Sequence, residues 1–199
     1  HGNGTEDIIA GDERILMVSF FQHPFYPPGG STRTESNLVN CPVPAYTKGM
    51  DIRELVEIMW MPRLEQHRPE LILISAGFDA HREDDMGQLG LVESDYAWIT
   101  GRIKTVAQRF AQGRVVSCLE GGYDLEVLSY GVLNTMRIMR GAPELVEDHI
   151  GASPHADTRD QRPDFGVQRW FGDPGCGHGL CYLRLEQRRR QQPNGDIYE

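Results

Sequence analysis

The sequence predicts an α/β fold, a parallel sheet with helices on both faces, and three observations point there. Apolar runs at 15–19 (ILMVS), 71–74 (LILI) and 114–119 (RVVSCL) lack the polar alternation of a half-exposed strand and suit strands buried on both faces. Each run empties into a loop rich in Gly or Pro that also carries aromatic or ionisable side chains. Helical periodicity follows each time, and this order, repeated three times, is what crossovers between parallel strands require. In such a sheet the loops past the strands' carboxyl ends open on one side, where ligands bind.

Residues 1–9, HGNGTEDII, form a Gly-rich opening, and Thr5 followed by Glu6 and Asp7 suits a helix N-terminus. HGNGT lacks both the GxGxxG spacing and the P-loop Lys-Ser/Thr, so it carries little phosphate-binding signal. The strand at 15–19 leads into FFQHPFYPPGGSTRTESN, where Pro24, Pro27, Pro28, Gly29 and Gly30 exclude long regular structure. Phe20, Phe21, Phe25 and Tyr26 surround His23 there and suit either a pocket wall or a loop folded onto the domain. NCPVPA at 40–45 is extended by its prolines and is at most an edge strand. Residues 51–66 read as an amphipathic helix capped by Asp51 and kinked or interrupted at Pro62.

The strand at 71–74 delivers Asp79 and His81 just past its end, so Asp79 is the first candidate for a working residue. Glu83, Asp84 and Asp85 read as a solvated turn rather than ligands. A helix over 94–111, capped by Ser94 or Asp95, buries Tyr96, Ile99, Ile103, Val106 and Phe110. The strand at 114–119 reads as buried, with Cys118 a small core residue, and ends in Glu120-Gly121-Gly122-Tyr123-Asp124 before a helix over about 125–140. Asp79, Tyr123 and the aromatic loop at 20–30 can therefore meet at one site.

The chain of 199 residues is 39% hydrophobic, enough for one sizeable core, placed here in residues 1–150. Residues 151–199 show no sustained periodicity, are rich in Gly, Pro and Arg, and read as a mostly disordered tail. The formal charge of −9 argues against a direct nucleic-acid surface and fits neutral or cationic substrates. No apolar run approaches the roughly 20 residues of a membrane span. Four scattered cysteines, Cys41, Cys118, Cys176 and Cys181, make no disulfide framework and suggest a reducing cytoplasm. Cys176, His178 and Cys181 lack a fourth ligand nearby and read poorly as zinc ligands.

A carboxylate at a strand end, a Tyr in a Gly-Gly turn and imidazoles in neighbouring loops suit metal-assisted hydrolysis, with the Tyr hydroxyl donating to an oxyanion. Three protein ligands are usual for catalytic zinc, and only Asp79 is well placed for that role.

SAGFDAH at 75–81, LEGGYD at 119–124 and HGNGTED at 1–7 closely resemble the zinc-dependent histone deacetylase superfamily, which includes acetylpolyamine amidohydrolases and acetoin-utilisation proteins. The resemblance covers about residues 1–141 and implies an arginase/deacetylase-like fold and hydrolysis of an acetyl amide, such as acetyl-lysine on a protein or an acetylated small molecule. It implies that Asp79 is the third zinc ligand and Tyr123 the tyrosine that stabilises the tetrahedral intermediate. Phe25 or Tyr26 resembles an aromatic wall of the acyl-lysine tunnel, and Gly121 and Gly122 let backbone approach the substrate. Ser19 with the Phe20 carbonyl resembles part of a monovalent-cation site, for which K+ is the expected ion. Asn3 resembles a residue that orients an active-site His; His81 reads either as a partner behind the ligands or as a support of its own loop.

The family pattern makes His1 the second His of an Asp-x-His-His-Gly run. The remaining two zinc ligands and the general acid/base His pair would lie before residue 1. The expectation is the C-terminal portion of a deacetylase domain, unable to hold catalytic Zn2+ tightly and prone to aggregate through an exposed sheet edge. The competing expectation is a non-catalytic α/β module that binds acetylated ligands or protein partners. A nucleotide-binding α/β protein is a distant third. Oligomeric state and the choice among acetylated substrates are not legible.

Overall fold

A computed structural model of the chain describes residues 2–26 and 33–142, and the backbone of Leu180–Leu185. Helix α1, Asn3–Ile9, begins two residues before the predicted Thr5, with Gly2 at its N-cap position. A turn over residues 10–14 leads to β1, Ile15–Gln22, and both ends of that turn are gathered by Asn37. The Asn37 amide donates to the carbonyls of Ile9, Asp12 and Ile15, and its oxygen accepts the Gly11 N–H. Residues of both parities along β1 are buried from Leu16 to Gln22, so both sheet faces are covered there. Met17 packs with Ile9 of α1 and Leu38 on one face, while Leu16, Val18 and Phe20 enter the main core on the other.

Strand β2, Leu38–Val43, pairs parallel with β1 and lies at the sheet edge, where Pro42 is tolerated. One helical rod follows: α2, Gly49–Leu55, a π turn, Val56–Trp60, and α3, Met61–His67. Pro62 does not kink or interrupt the rod as expected. It sits in the first turn of α3, directly after the wider π turn, where the Met61 N–H reaches back to the Val56 carbonyl and the N–H that proline lacks is not needed. Ile52, Val56, Trp60, Met61 and Leu64 are buried, and the Trp60 ring stacks on Phe20 with centroids 5.7 Å apart.

Strand β3, Ile72–Ala76, is the expected strand at 71–74, starting one residue later and ending two residues later. Helix α4, Glu93–Phe110, buries Tyr96, Ile99, Ile103 and Val106 as expected but leaves Phe110, at its last residue, half-buried, and neither Ser94 nor Asp95 is its N-cap. Val92 holds that position, and Asp95, inside the first turn, reaches back to accept the Val92 N–H at 2.9 Å. Asp51 does the same for α2, accepting the Lys48 N–H at 3.1 Å.

Strand β4, Val115–Leu119, pairs parallel with β3 and forms the other sheet edge, which corrects its reading as a buried strand. Val116 and Leu119 are exposed, and so is Cys118, read from sequence as a core residue. Cys41 on β2 is buried, and that burial pushes its thiol up to about 12, so it behaves as a small apolar group. Helix α5, Leu125–Met139, is capped by Asp124, whose carboxylate accepts the N–H groups of Glu126 and Val127. Leu128 and Val132 of α5 pack against the main core.

The sheet order is β2-β1-β5-β3-β4, all parallel, with β5, Leu180–Leu185, between β1 and β3. The reading of residues 151–199 as a disordered tail did not anticipate this strand. Parallel pairing needs only backbone groups in register, so no periodic signal had to mark those six residues. The Cys176 and His178 pair lies outside the described residues, and only the backbone of Cys181 lies within them.

Candidate active site

Because every strand runs the same way, the loops after β1, β3 and β4 emerge on one side of the sheet. Two hydrogen bonds carry the pairing of β3 and β4 past the strands: Glu120 N–H donates to the Ala76 carbonyl at 2.9 Å, and Phe78 N–H to the Gly121 carbonyl at 3.0 Å. The Asp79 loop and the Gly-Gly-Tyr turn therefore run side by side. Asp79 is fully buried. A methyl group placed on Gly121 would lie 2.8 Å from Asp79 Oδ1 and 3.1 Å from Oδ2, so only a glycine lets the turn lie against this carboxylate. Gly122 has a φ of +121°, and a side chain there would press on Phe78 and Leu128. Tyr123 follows, with its side chain 46% exposed beside the buried carboxylate's loop.

Three features fix the Asp79 loop from behind. The Tyr96 hydroxyl donates to the Phe78 carbonyl at 3.0 Å, and the two rings pack with centroids 5.1 Å apart. Tyr96 is wholly buried, and burial, then the charges of Asp79, Asp84, Asp95 and Glu93, raises its phenol well above the usual range, so it remains a donor. His81 is buried, with Nε2 3.3 Å from Glu93 Oε2, while Nδ1 accepts the Glu83 N–H at 3.2 Å. Both bonds are made when the ring proton sits on Nε2. His81 is thus committed to Glu93, at the start of α4, a partner twelve residues away that the sequence did not reveal.

Asp84 is not part of a solvated turn. It is buried, and its carboxylate accepts the N–H groups of Tyr123 at 2.7 Å, Asp124 at 3.1 Å and Met86 at 2.9 Å. Sequence reasoning missed it because acids flank it on both sides. The one available signal was the Gly-Gly turn, which lacks side chains of its own and needs an outside anchor. Glu83 is half-buried and Asp85 exposed.

The aromatic loop after β1 is tied to the same region. Gln22 Nε2 donates to Gln88 Oε1 and Gln22 Oε1 accepts the Gln88 N–H, each at 3.0 Å. Phe25 and Tyr26 are half-buried just beyond this tie. Ser19 is buried within β1, opposite Asn40 of β2, and the Phe20 ring belongs to the core against Trp60. Asn3 is half-buried at the start of α1, and His1 lies outside the described residues. The hydrogen bonds and close approaches thus join the Asp79 loop to Gly121, Gly122 and Tyr123 directly, and the Gln22–Gln88 tie holds the strand end that precedes Phe25 and Tyr26 to residue 88.

Residues 1–139 match the family described as the histone deacetylase domain. The chain belongs to the histone deacetylase family. Type-2 histone deacetylase 2 of Dictyostelium discoideum is 38% identical over 139 residues, covering 63% of this chain and 8% of its own length. Histone deacetylase 14, chloroplastic, of Arabidopsis thaliana is 33% identical over 154 residues, or 74% of this chain and 36% of its own. The histone deacetylase-like amidohydrolase of Pseudomonas aeruginosa is 28% identical over 202 residues, covering 96% of this chain and 52% of its own. The chain therefore spans about half or less of the length of these relatives. Among solved structures, the HDA15 HD domain matches with a TM-score of 0.65 at 26% identity, over 73% of this chain and 44% of that one. The histone deacetylase Clr3 matches with a TM-score of 0.63 at 30% identity, over 72% and 25%. The α/β deacetylase fold expected from the sequence is the observed one.

Zinc is the metal that the family resemblance implies. Among the described residues no group of three or more His, Cys, Asp or Glu side chains is placed to hold a metal ion, and Asp79 belongs to no such group there. No described helix is long and apolar enough to cross a membrane.

Proposed function

We propose that this chain carries the Asp79 and Tyr123 part of a site for zinc-dependent hydrolysis of an acetyl amide, either acetyl-lysine on a protein or an acetylated polyamine. The observation that carries the reading is the packing of the Gly121 backbone directly on the buried Asp79 carboxylate, with Tyr123 two residues further along the same turn. When bound, zinc supplies an activated water and polarises the acetyl carbonyl. In this reading Asp79 is one metal ligand, and the half-exposed Tyr123 hydroxyl donates to the oxyanion that develops on the carbonyl. A donor of that kind contributes a factor of roughly 10²–10³ in rate. Phe25 and Tyr26 line the approach of the acyl-lysine stem. Ser19 and the Phe20 carbonyl hold a monovalent cation, K+, and His1, Asn3 and His81 support the ligands. The acidic body and the scattered cysteines favour a cytoplasmic protein that does not bind nucleic acid directly.

One refinement goes with this reading: the chain by itself holds zinc weakly and turns over slowly or not at all. The second reading is a non-catalytic module that binds acetylated ligands.

Zinc content per chain after dialysis against a weak chelator, together with hydrolysis of an acetyl-lysine peptide and of an acetylated polyamine, tests both. Near-zero zinc with no turnover is expected. One tightly held zinc per chain that is lost in Asp79→Ala overturns the refinement. Tight zinc that survives Asp79→Ala overturns the assignment of Asp79. Saturable binding of the acetyl-lysine peptide without turnover, even with zinc in excess, favours the binding module.

A further inference from the structure

We propose that Asp84 is a positioning residue for Tyr123, holding the Gly-Gly-Tyr turn at a fixed place relative to the loop that carries Asp79. The proposal deepens the deacetylase reading and rests on it for the word catalysis, but not for the contact itself. Asp84 lies five residues beyond Asp79 in the same loop. The Gly121 backbone lies against Asp79, whereas both oxygens of Asp84 are engaged by N–H donors. Oδ2 accepts the Tyr123 N–H at 2.7 Å and the Asp124 N–H at 3.1 Å, and Oδ1 accepts the Met86 N–H at 2.9 Å. That pattern suits an anchor and leaves little for a metal ion.

The turn needs an anchor for a physical reason. Gly121 and Gly122 have no side chains with which to pack, and Gly122 occupies a positive φ that glycine enters and leaves freely. Tyr123 is half-exposed, so burial alone does not fix it. Asp124 turns the chain into α5 by capping it, which holds the far side of the turn but not its distance from Asp79. Asp84 supplies that link across 39 residues of sequence, through charge-assisted bonds that are shorter and about twice as strong as neutral ones. Its own loop is held in turn: Asp84 N–H donates to the His81 carbonyl, and His81 N–H to the Phe78 carbonyl, each at 3.1 Å. From Phe78 to Tyr123 the result is one closed ring of hydrogen bonds around the proposed site. A shift of about 1 Å in a group that must meet a reacting atom can cost on the order of 10² in rate.

The test uses the whole 199-residue chain as wild type, Asp84→Asn and Asp84→Ala, with fluorotyrosine placed at position 123 only. Amide hydrogen exchange is read at Tyr123 and Asp124 and compared with β3 and α4; the fluorine NMR line reports the freedom of the Tyr123 ring. Asp84→Asn keeps the side chain's shape and one acceptor oxygen, but turns an NH2 group toward backbone N–H groups. Removing the charged acceptor is expected to speed exchange at Tyr123 and Asp124 by about tenfold or more, narrow the fluorine line, and leave β3 and α4 within about twofold. Three results overturn the proposal: fast exchange at the Tyr123 amide already in wild type, an unchanged fluorine line in Asp84→Asn, or exchange that rises equally throughout the chain. The wild-type measurement stands even if Asp84→Ala does not fold. Because neither readout needs metal or turnover, failure of the deacetylase reading in the zinc and activity assays is separable from failure here.

Discussion

The Tyr96 hydroxyl donates to the carbonyl of Phe78, the residue immediately before Asp79, at 3.0 Å. Helix α4 thereby sets the height at which β3 delivers its carboxylate. Tyr96→Phe keeps the ring packing on Phe78 and removes only this bond, leaving the Phe78 carbonyl with the His81 N–H as its remaining donor. A loss of about 1–2 kcal/mol is expected, read as a lower denaturant midpoint with an unchanged slope.

The same phenol predicts an alkaline signature. Burial, followed by the charges of Asp79, Asp84, Asp95 and Glu93, raises its folded-state pKa well above 10.0, its ordinary value. The stability it contributes is therefore fully present below about pH 10 and lost as pH rises from there toward the folded-state pKa, since only the unfolded chain releases the proton readily. Wild type should lose stability more steeply than Tyr96→Phe above about pH 10 when unfolding is followed against pH.

Two glycine substitutions should have opposite signs. In Gly131→Ala the new methyl would lie 2.5 Å from the Phe78 ring, and in spite of alanine's better helix propensity a loss of about 1–3 kcal/mol is expected. Gly4→Ala in α1 meets nothing within 4 Å, so propensity alone acts and a gain of up to about 1 kcal/mol follows. Thermal or denaturant melts of the two variants decide the matter.

Arg53 Nε lies 2.8 Å from Asp95 Oδ1, joining the last turn of α2 to the first turn of α4. Gly49 lets them meet, because a methyl there would overlap the Asp95 carboxylate. The Asp95 side chain is 5% exposed and that of Arg53 27%, so a single truncation of either should cost about 2–3 kcal/mol, below the range for fully buried pairs. The double variant should cost at least about 1 kcal/mol less than the sum, as measured in a double-mutant cycle.

Val116 and Leu119 are exposed on β4, which among the described strands is paired on one side only, with β3. Self-association through this edge is expected. Val116→Lys should shift sedimentation toward monomer, with no change in the monomer's circular dichroism; unaltered association would place the contact elsewhere.

Strand positions were legible because unalternated apolar runs say where backbone is sheltered, and the adjacency of the loops that carry Asp79 and Tyr123 was legible because each loop follows such a run. The residues of 114–119 could not say that their strand closes the sheet, because edge position belongs to the order of strands and not to any one of them. Asp84 was hidden for a related reason: Glu83, Asp84 and Asp85 are chemically alike, and only the partner turn, met 39 residues later, distinguishes the middle one. His81 was visible as an imidazole, but its commitment to Glu93 was not. Asp95 was recognised as belonging to the start of a helix, and misplaced there, because the same carboxylate chemistry serves the cap and the third position.

The π turn at Val56–Trp60 accommodates one residue more than an α turn of the same rise would. Removing a single residue there should convert Gly49–His67 into an uninterrupted α-helix with Ile52 and Leu64 still facing the core, so this is a place where the chain's length can change by one without a loop. Pro62 limits that freedom: in the shortened helix its missing N–H would fall on a carbonyl that expects a donor. Insertion and deletion at this point are therefore coupled to the identity of residue 62, and relatives that lack the extra residue should also lack the proline.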